Sequence, residues 1–225
     1  MDIPLFPLPN LVLFPDVIIP LHIFEKRYQL MINECIEQDE IFGLVLLRAD
    51  ASEETEETIH RVGVTARVIQ VERLEAGRMN ILSQGEDRFK IYRFIQQMPY
   101  WRASVTLLDD DASHSALDAL YNDVFEHYTR VCELGAQVSN SSEELPAMPE
   151  SPTDLSYMIS YALDIDAEEK QRLLEITSTA ERLRVLVTYL DDTIRKLEQQ
   201  LAYKKLMVKV RGNGDLGKPG KSGSS

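Results

Sequence analysis

Residues 3–10 read IPLFPLPN, residues 12–15 read VLFP and residues 20–28 read PLHIFEKRY. The prolines favour extended backbone here, because proline fixes its own φ and disfavours helical backbone in the residue before it. A helix from Phe24 to about Glu37 is predicted next, since the apolar residues of this stretch form one stripe on a helical surface. The stripe consists of Phe24, Tyr28, Met31, Ile32 and Cys35. The opening therefore predicts extended segments that lead into one amphipathic helix.

The chain as far as residue 108 is predicted to be mainly β. Residues 41–47 (IFGLVLL) form a continuous apolar run, as in a strand buried on both faces. Residues 62–68 and 101–107 alternate apolar and polar side chains, which is the pattern of half-buried strands. A further alternation over residues 89–94 changes phase partway. One extra residue in a strand has this effect, so we predict a β-bulge near Tyr92.

After residue 111 the apolar periodicity becomes helical. A helix is predicted over residues 115–137, followed by a polar, proline-containing linker over residues 139–149. Three more helix starts carry the oxygen-bearing side chains and the spacing of N-terminal caps, at Ser151, Asp166 and Ser178. The last helix, from Thr179 to about Val208, has apolar residues in steps of four and three. Such a seam is typical of the core-facing stripe of a helical bundle, and also of a coiled-coil dimer.

The order of motifs in the β half resembles that of the N-terminal substrate-binding domain family of Lon proteases. The resemblance rests on the opening and on later motifs over about residues 1–108, whereas the helical half matches the family's layout by pattern only. The later motifs are FGLV (42–45), VGV (62–64), GRMNI (77–81), Gly85, RFKI (88–91) and PY (99–100). Asp16 stands where the family commonly has glycine, and Lys26 where it commonly has proline. Neither departure touches a known chemical role.

The resemblance implies an α+β fold in which a small PUA-like β barrel with one helix precedes a C-terminal helical bundle with a long last helix. We expect the barrel module over residues 1–111, the helical module over residues 112–211 and a disordered tail over residues 212–225. In full-length Lon this region helps to capture protein substrates, whereas ATP hydrolysis and the peptidase lie downstream. The chain is therefore expected to be a stand-alone member of the family, without the motor and peptidase domains.

The aromatic residues of the matching motifs are expected to be framework and not contacts to a client. We predict that Phe6, Phe14, Phe24 and Tyr28 lie in the core, and that Trp101 joins them because it shares a strand face with apolar neighbours. The polypeptide-binding residues cannot be assigned from the sequence. We expect the binding surface where the β module meets the helices, because ligand sites favour such junctions.

The formal net charge is −13, from 24 basic and 37 acidic side chains. Such a surface repels phosphate backbones and attracts basic clients, which disfavours nucleic acid as a partner. A local excess of basic residues follows Arg195, and part of it complements a helix C-terminus. The N-terminus has no basic region of a signal peptide, and its apolar stretch is too short to cross a membrane. A cytoplasmic protein without membrane attachment is expected.

No motif of the sequence indicates catalysis, a cofactor or a metal. The histidines (His22, His60, His114 and His127) lack the spacing of a zinc site. The tail segment GKPGKS (217–222) lacks the first glycine, the strand and the helix of a phosphate-binding loop. The acidic segments 51–58 and 109–111 are predicted to be solvated loops, and their carboxylates are not predicted to form catalytic pairs. Cys35 and Cys132 are predicted to be buried free thiols, in keeping with a reducing cytosol.

The sequence therefore predicts a non-catalytic protein- or peptide-recognition module. Its expected partners are polypeptide segments or client proteins, with a protease or chaperone as a further possible partner, and it is expected to be a monomer or a homodimer. Two alternatives remain open: an RNA-binding PUA-like protein and an uncharacterised hydrolase. The first rests on fold analogy alone and is opposed by the charge.

Overall fold

The first half of the chain consists mainly of strands with one α-helix, and the second half consists of helices, as the sequence predicts. The computed structural model describes residues 1–48, 53–113, 117–141 and 147–213, with side chains as far as residue 207. The strands are β1 (Asp2–Pro9), β2 (Ile18–Ile23), β3 (Phe42–Leu47), β4 (Ile59–Arg73), β5 (Met79–Gln96) and β6 (Arg102–Leu107). The helices are α1 (Lys26–Gln38), α2 (Leu117–Ser139), α3 (Pro152–Ala162), α4 (Ala167–Glu175) and α5 (Thr179–Asn213). The predicted α+β fold class is confirmed.

The six strands form one sheet that closes on itself. Its order is β2-β5-β4-β3-β1-β6. Because β6 also pairs with β5, five of the strands close into a small barrel. The remaining strand, β2, pairs with the first half of β5. Among these six strands, β1 pairs with β3 in parallel, and the other pairings are antiparallel. The register between β5 and β6 shifts between Ile91 and Arg93, which confirms the bulge predicted near Tyr92. The bulge leaves Tyr92 80% exposed.

The barrel interior is filled around the ring of Phe89. Gly43 and Gly63 lie against this ring, and a Cβ on Gly63 would approach it to 2.9 Å and the Leu44 carbonyl oxygen to 2.4 Å. Real Cβ contacts are not this short, so these two positions have no room for a side chain. The buried residues around Phe89 are Ile3, Leu5, Val45, Ile59, Ile91, Trp101, Ala103 and Val105. The prediction that Trp101 belongs to the core is confirmed.

Helix α1 covers a second group of buried residues. Tyr28, Met31, Ile32 and Cys35 are buried on one stripe, as predicted, and Tyr28 packs on the buried Phe6 with ring centroids 4.2 Å apart. Phe14 is also buried. The core prediction for Phe24 is wrong: this residue is 62% exposed. The helix begins only at Lys26, so Phe24 precedes the helical stripe, and its ring stacks near His22.

The predicted helix caps are confirmed. The side chains of Ser151, Asp166 and Ser178 each accept a hydrogen bond from the backbone N–H three residues later. In the seam of the last helix, Leu183 and Leu190 are fully buried. Val187, Ile194, Leu197 and Leu201 are half-buried.

The chain divides into two compact units, residues 1–121 with 148–186 and residues 122–147 with 187–225. The first unit contains the barrel, α1, α3, α4 and the start of α5. The second unit consists of most of α2 and the rest of α5. The boundary predicted at residue 111 marks the change from strands to helices and stays a prediction. Residues 212 and 213 belong to α5, and the remainder of the predicted disordered tail lies outside the described residues.

Candidate functional site

An open cleft of about 480 Å³ lies at one end of the barrel, within the first compact unit. It is formed where several elements end or begin: the last residue of β1, the last residue of β3, the start of α1 and the connection from β5 to β6. Its apolar residues are Pro9, Leu47, Met98 and Trp101, and its polar residues are Arg27, Glu53, Glu54 and Gln97. Ligand sites combine apolar walls with a few polar groups in this way.

The apolar part of the cleft has a rigid floor and an exposed rim. Trp101 is only 5% exposed and packs against Phe94 with ring centroids 5.1 Å apart, so its position is fixed by the barrel core. Met98 lies on the rim and is 77% exposed. Tyr100 anchors the connection between them, because its hydroxyl donates a hydrogen bond to Glu34 of α1. An exposed flexible methionine above a fixed aromatic floor can adapt to different apolar side chains.

The polar part of the cleft contains a forked ion pair between Arg27 and Glu54. The two terminal nitrogens of the Arg27 guanidinium donate to the two Glu54 oxygens at 2.7 and 2.6 Å, and Nε donates to Glu25 at 2.9 Å. The Tyr28 hydroxyl also donates to Glu54. Burial and the Glu54 charge raise the pKa of Tyr28 above its ordinary value. The prediction that residues 51–58, of which 51 and 52 lie outside the described residues, form only a solvated loop is therefore wrong for Glu54, whose partners lie more than 25 residues away.

A second acidic segment predicted to be solvated, residues 109–111, also contains an anchored carboxylate. Asp110 accepts hydrogen bonds from Arg182 at 2.7 Å and from the Tyr157 hydroxyl, and Arg88 lies 3.1 Å away. The side chains of both arginines are at most 1% exposed. This cluster joins β5, the segment after β6, α3 and α5 within the first unit, so its role is structural.

The histidines differ in their surroundings. His60 on β4 lies 3.2 Å from Glu168 and 3.6 Å from Glu175, and His127 on α2 lies 3.1 Å from Asp123. His22 bonds to Asn80, whereas His114 lies outside the described residues. Within the part of the chain that the structure describes, no group of three or more His, Cys, Asp or Glu could hold a metal ion. Both cysteines are free; Cys35 is buried as predicted, and Cys132 is only half-buried.

The fold and its cleft define a β-barrel domain with a helical extension. Residues 2–192 match the family model described as the ATP-dependent protease La (LON) substrate-binding domain, and the chain belongs to that family. The resemblance seen in the sequence is thereby confirmed. None of the helices in the described part of the chain combines the length with the apolar composition that a membrane span requires.

Relatives and solved structures agree with this assignment. The chain is 28% identical over 200 residues to the Lon protease of Cytophaga hutchinsonii. The aligned residues make up 87% of this chain and 25% of that protein. The chain is 30% identical over 200 residues to Lon protease 2 of Herpetosiphon aurantiacus, covering 88% and 24%, respectively. The chain thus spans about a quarter of the length of these relatives.

Two solved structures share the fold. The Lon N-terminal domain protein from Xanthomonas campestris superposes with a TM-score of 0.60 at 19% identity, over 84% of this chain and 98% of that one. The N-terminal domain of the Mycobacterium avium complex Lon protease superposes with a TM-score of 0.66 at 18% identity, over 85% and 99%. At these identities the likeness concerns the fold alone.

Proposed function

We propose that this protein is a non-catalytic module that binds extended or unfolded polypeptide segments. The observation that carries the proposal is the match of residues 2–192 to a family of substrate-binding domains. We propose a cytoplasmic location as well, in keeping with two free cysteines. Recognition, not turnover, is the role proposed for the chain.

We propose the barrel-end cleft as the binding site. It is open, its floor is a fixed aromatic ring, and its rim carries an exposed methionine. A segment that is already extended can place one apolar side chain over Trp101 and keep its neighbours in solvent. The surface between the β module and the helices, which the sequence suggested, remains a second place to test.

Binding of a single segment is expected to be weak. Burying one apolar side chain yields about 1.5–3 kcal/mol, and ordering a flexible segment costs part of that gain. Charge adds little, because an exposed ion pair contributes about 0–1 kcal/mol. Dissociation constants in the micromolar range or weaker follow from these magnitudes.

Fluorescence anisotropy with three labelled ligands tests this function. The ligands are a model protein unfolded by reduction and carboxymethylation, the same protein in its native form, and an RNA oligonucleotide. We expect saturable binding of the unfolded polypeptide alone. Equal binding of the native form, or tight binding of RNA that weakens steeply with salt, would contradict the proposal.

A pair of variants locates the site. Met98→Ser removes the exposed rim of the cleft, and Tyr92→Ser removes a side chain of similar exposure outside it. Because both residues are exposed, neither change should affect folding by more than about 0.5 kcal/mol. We expect Met98→Ser alone to weaken binding of the unfolded polypeptide. If the two variants bind alike, the cleft is not the site.

A further inference from the structure

The charges that line the cleft are not equally available to a ligand. Arg27 is held by two carboxylates, because each of its three nitrogens donates to Glu54 or Glu25 at 2.6–2.9 Å. Glu54 is likewise occupied, since both of its oxygens accept from that guanidinium. This pair is close to neutral as seen from the cleft. Glu53 is the one cleft-lining charge outside the pair among the described residues.

The carboxylate of Glu53 is exposed and makes no hydrogen bond or ion pair within the described part of the chain. Its backbone is nevertheless held in place. The Glu53 carbonyl accepts a hydrogen bond from the Thr58 hydroxyl at 2.9 Å, and the same hydroxyl accepts from the Thr55 backbone at 2.8 Å. The next residue, Glu54, is fixed by Arg27. Within the described residues, the structure therefore presents a carboxylate without a partner, on a backbone that is held at the cleft wall.

The rest of the cleft wall is uncharged. Met98 and Trp101 offer apolar contact, and Gln97 offers an exposed amide that can bond a peptide backbone. A segment in this cleft thus meets an apolar surface and one unpaired carboxylate. A lysine or arginine complements that carboxylate, whereas an aspartate or glutamate at the same place is repelled.

We propose that the cleft selects polypeptide segments in which an apolar side chain is accompanied by a nearby lysine or arginine, and that Glu53 is the residue that sets this selectivity. The inference rests on the proposed polypeptide-binding function and names the class of segment. Arg27 is then a positioning residue, because it holds Glu54 and, through Glu54, the segment that carries Glu53.

Three peptides with one apolar core test the selectivity. They differ at a single flanking position, which is lysine, glutamine or glutamate. Trp101 is the only tryptophan of the chain and lines the cleft, so peptides without tryptophan can be titrated by its fluorescence. We expect the lysine peptide to bind about threefold to fivefold more tightly than the glutamine peptide, as for an exposed ion pair, and the glutamate peptide to bind more weakly. The preference should shrink as salt is added.

The matched variants are Glu53→Gln and Glu57→Gln. Glu57 is an exposed carboxylate of the same segment that does not line the cleft. We expect the lysine preference to fall to about one in Glu53→Gln. In Glu57→Gln we expect the preference to persist and the binding of the glutamine peptide to be unchanged. An undiminished preference in Glu53→Gln, or an equal loss in both variants, would overturn the inference while leaving polypeptide binding intact. If no peptide binds the wild-type protein by fluorescence or anisotropy, the proposed function itself fails.

Discussion

Replacing Asp110 by alanine should destabilise the protein strongly. Its carboxylate bonds to Arg182 at 2.7 Å, lies 3.1 Å from Arg88 and accepts from the Tyr157 hydroxyl. Both guanidiniums are buried, so Asp110→Ala removes the carboxylate that these two interior charges share. Breaking a buried ion pair from one side costs about 3–5 kcal/mol. For a chain of this size, 1 kcal/mol corresponds to about 2–4 °C, so Tm should fall by about 6–20 °C.

The lower half of this range is favoured, because both arginines keep backbone acceptors. Arg88 donates to the carbonyl oxygens of Leu174 and Ile176 at 2.7 and 2.9 Å, and Arg182 donates to that of Ile176 at 2.6 Å. Thermal unfolding followed by circular dichroism measures the loss. Asp109→Ala is the matched control, since Asp109 is exposed and accepts a hydrogen bond from Arg88 through its backbone carbonyl, which the substitution keeps. Melting temperatures of the two variants within about 2 °C of each other would refute the structural role of the carboxylate.

The burial of Gly63, Leu190 and Cys35 leads to three further predictions. Gly63→Ala should lower the free energy of unfolding by about 1–3 kcal/mol, because the added methyl group overpacks the core against Phe89. A Tm equal to that of the wild type would contradict the close approach of this glycine to the ring. Leu190→Asp should lower stability by about 3 kcal/mol or more, because the residue is fully buried; an unchanged denaturant midpoint would mean that this part of α5 is exposed. Thiol counting under denaturing, non-reducing conditions should give two cysteines. Burial raises the pKa of both thiols, that of Cys35 to about 12. Because a thiol reacts as its thiolate, the half-buried Cys132 should react first in the native protein near pH 8. Faster labelling of Cys35 would be inconsistent with its burial.

Local patterns predicted the parts of the fold that local physics determines. The change of phase before Phe94 predicted the bulge because side chains alternate strictly along a strand, so one extra residue reverses the order. The capping residue Asp166 was predictable because its carboxylate reaches only three residues along the chain. The prediction that Phe24 lies in the core was wrong, because the apolar spacing along a helix does not show where the helix begins. The spacing of Phe24 fits the apolar stripe of α1, yet Glu25 is extended and the helix starts after it.

The two anchored carboxylates could not be predicted in this way. Glu54 and Asp110 stand in acidic segments that look solvated, and their partners are distant in sequence. Arg27 lies 27 residues from Glu54, and Arg182 lies 72 residues from Asp110. Only the closed barrel and the packing of α5 bring these groups together. The amino-acid composition of such segments favours exposure to solvent, because composition contains no information on which charged side chains pair in the folded chain.

The residues of the cleft lie at or beyond the ends of strands and helices, whereas the packing of the barrel depends on residues within the strands. Gly43 and Gly63 are fixed by their approach to Phe89 and leave no room for change. Met98 and Glu53 are exposed, and their side chains fill no part of the core. Changes at Met98 or Glu53 can therefore alter what the cleft accepts at little cost in stability. Folding and the proposed recognition are separable in this chain, which is why variants of exposed cleft residues can test recognition without unfolding the protein.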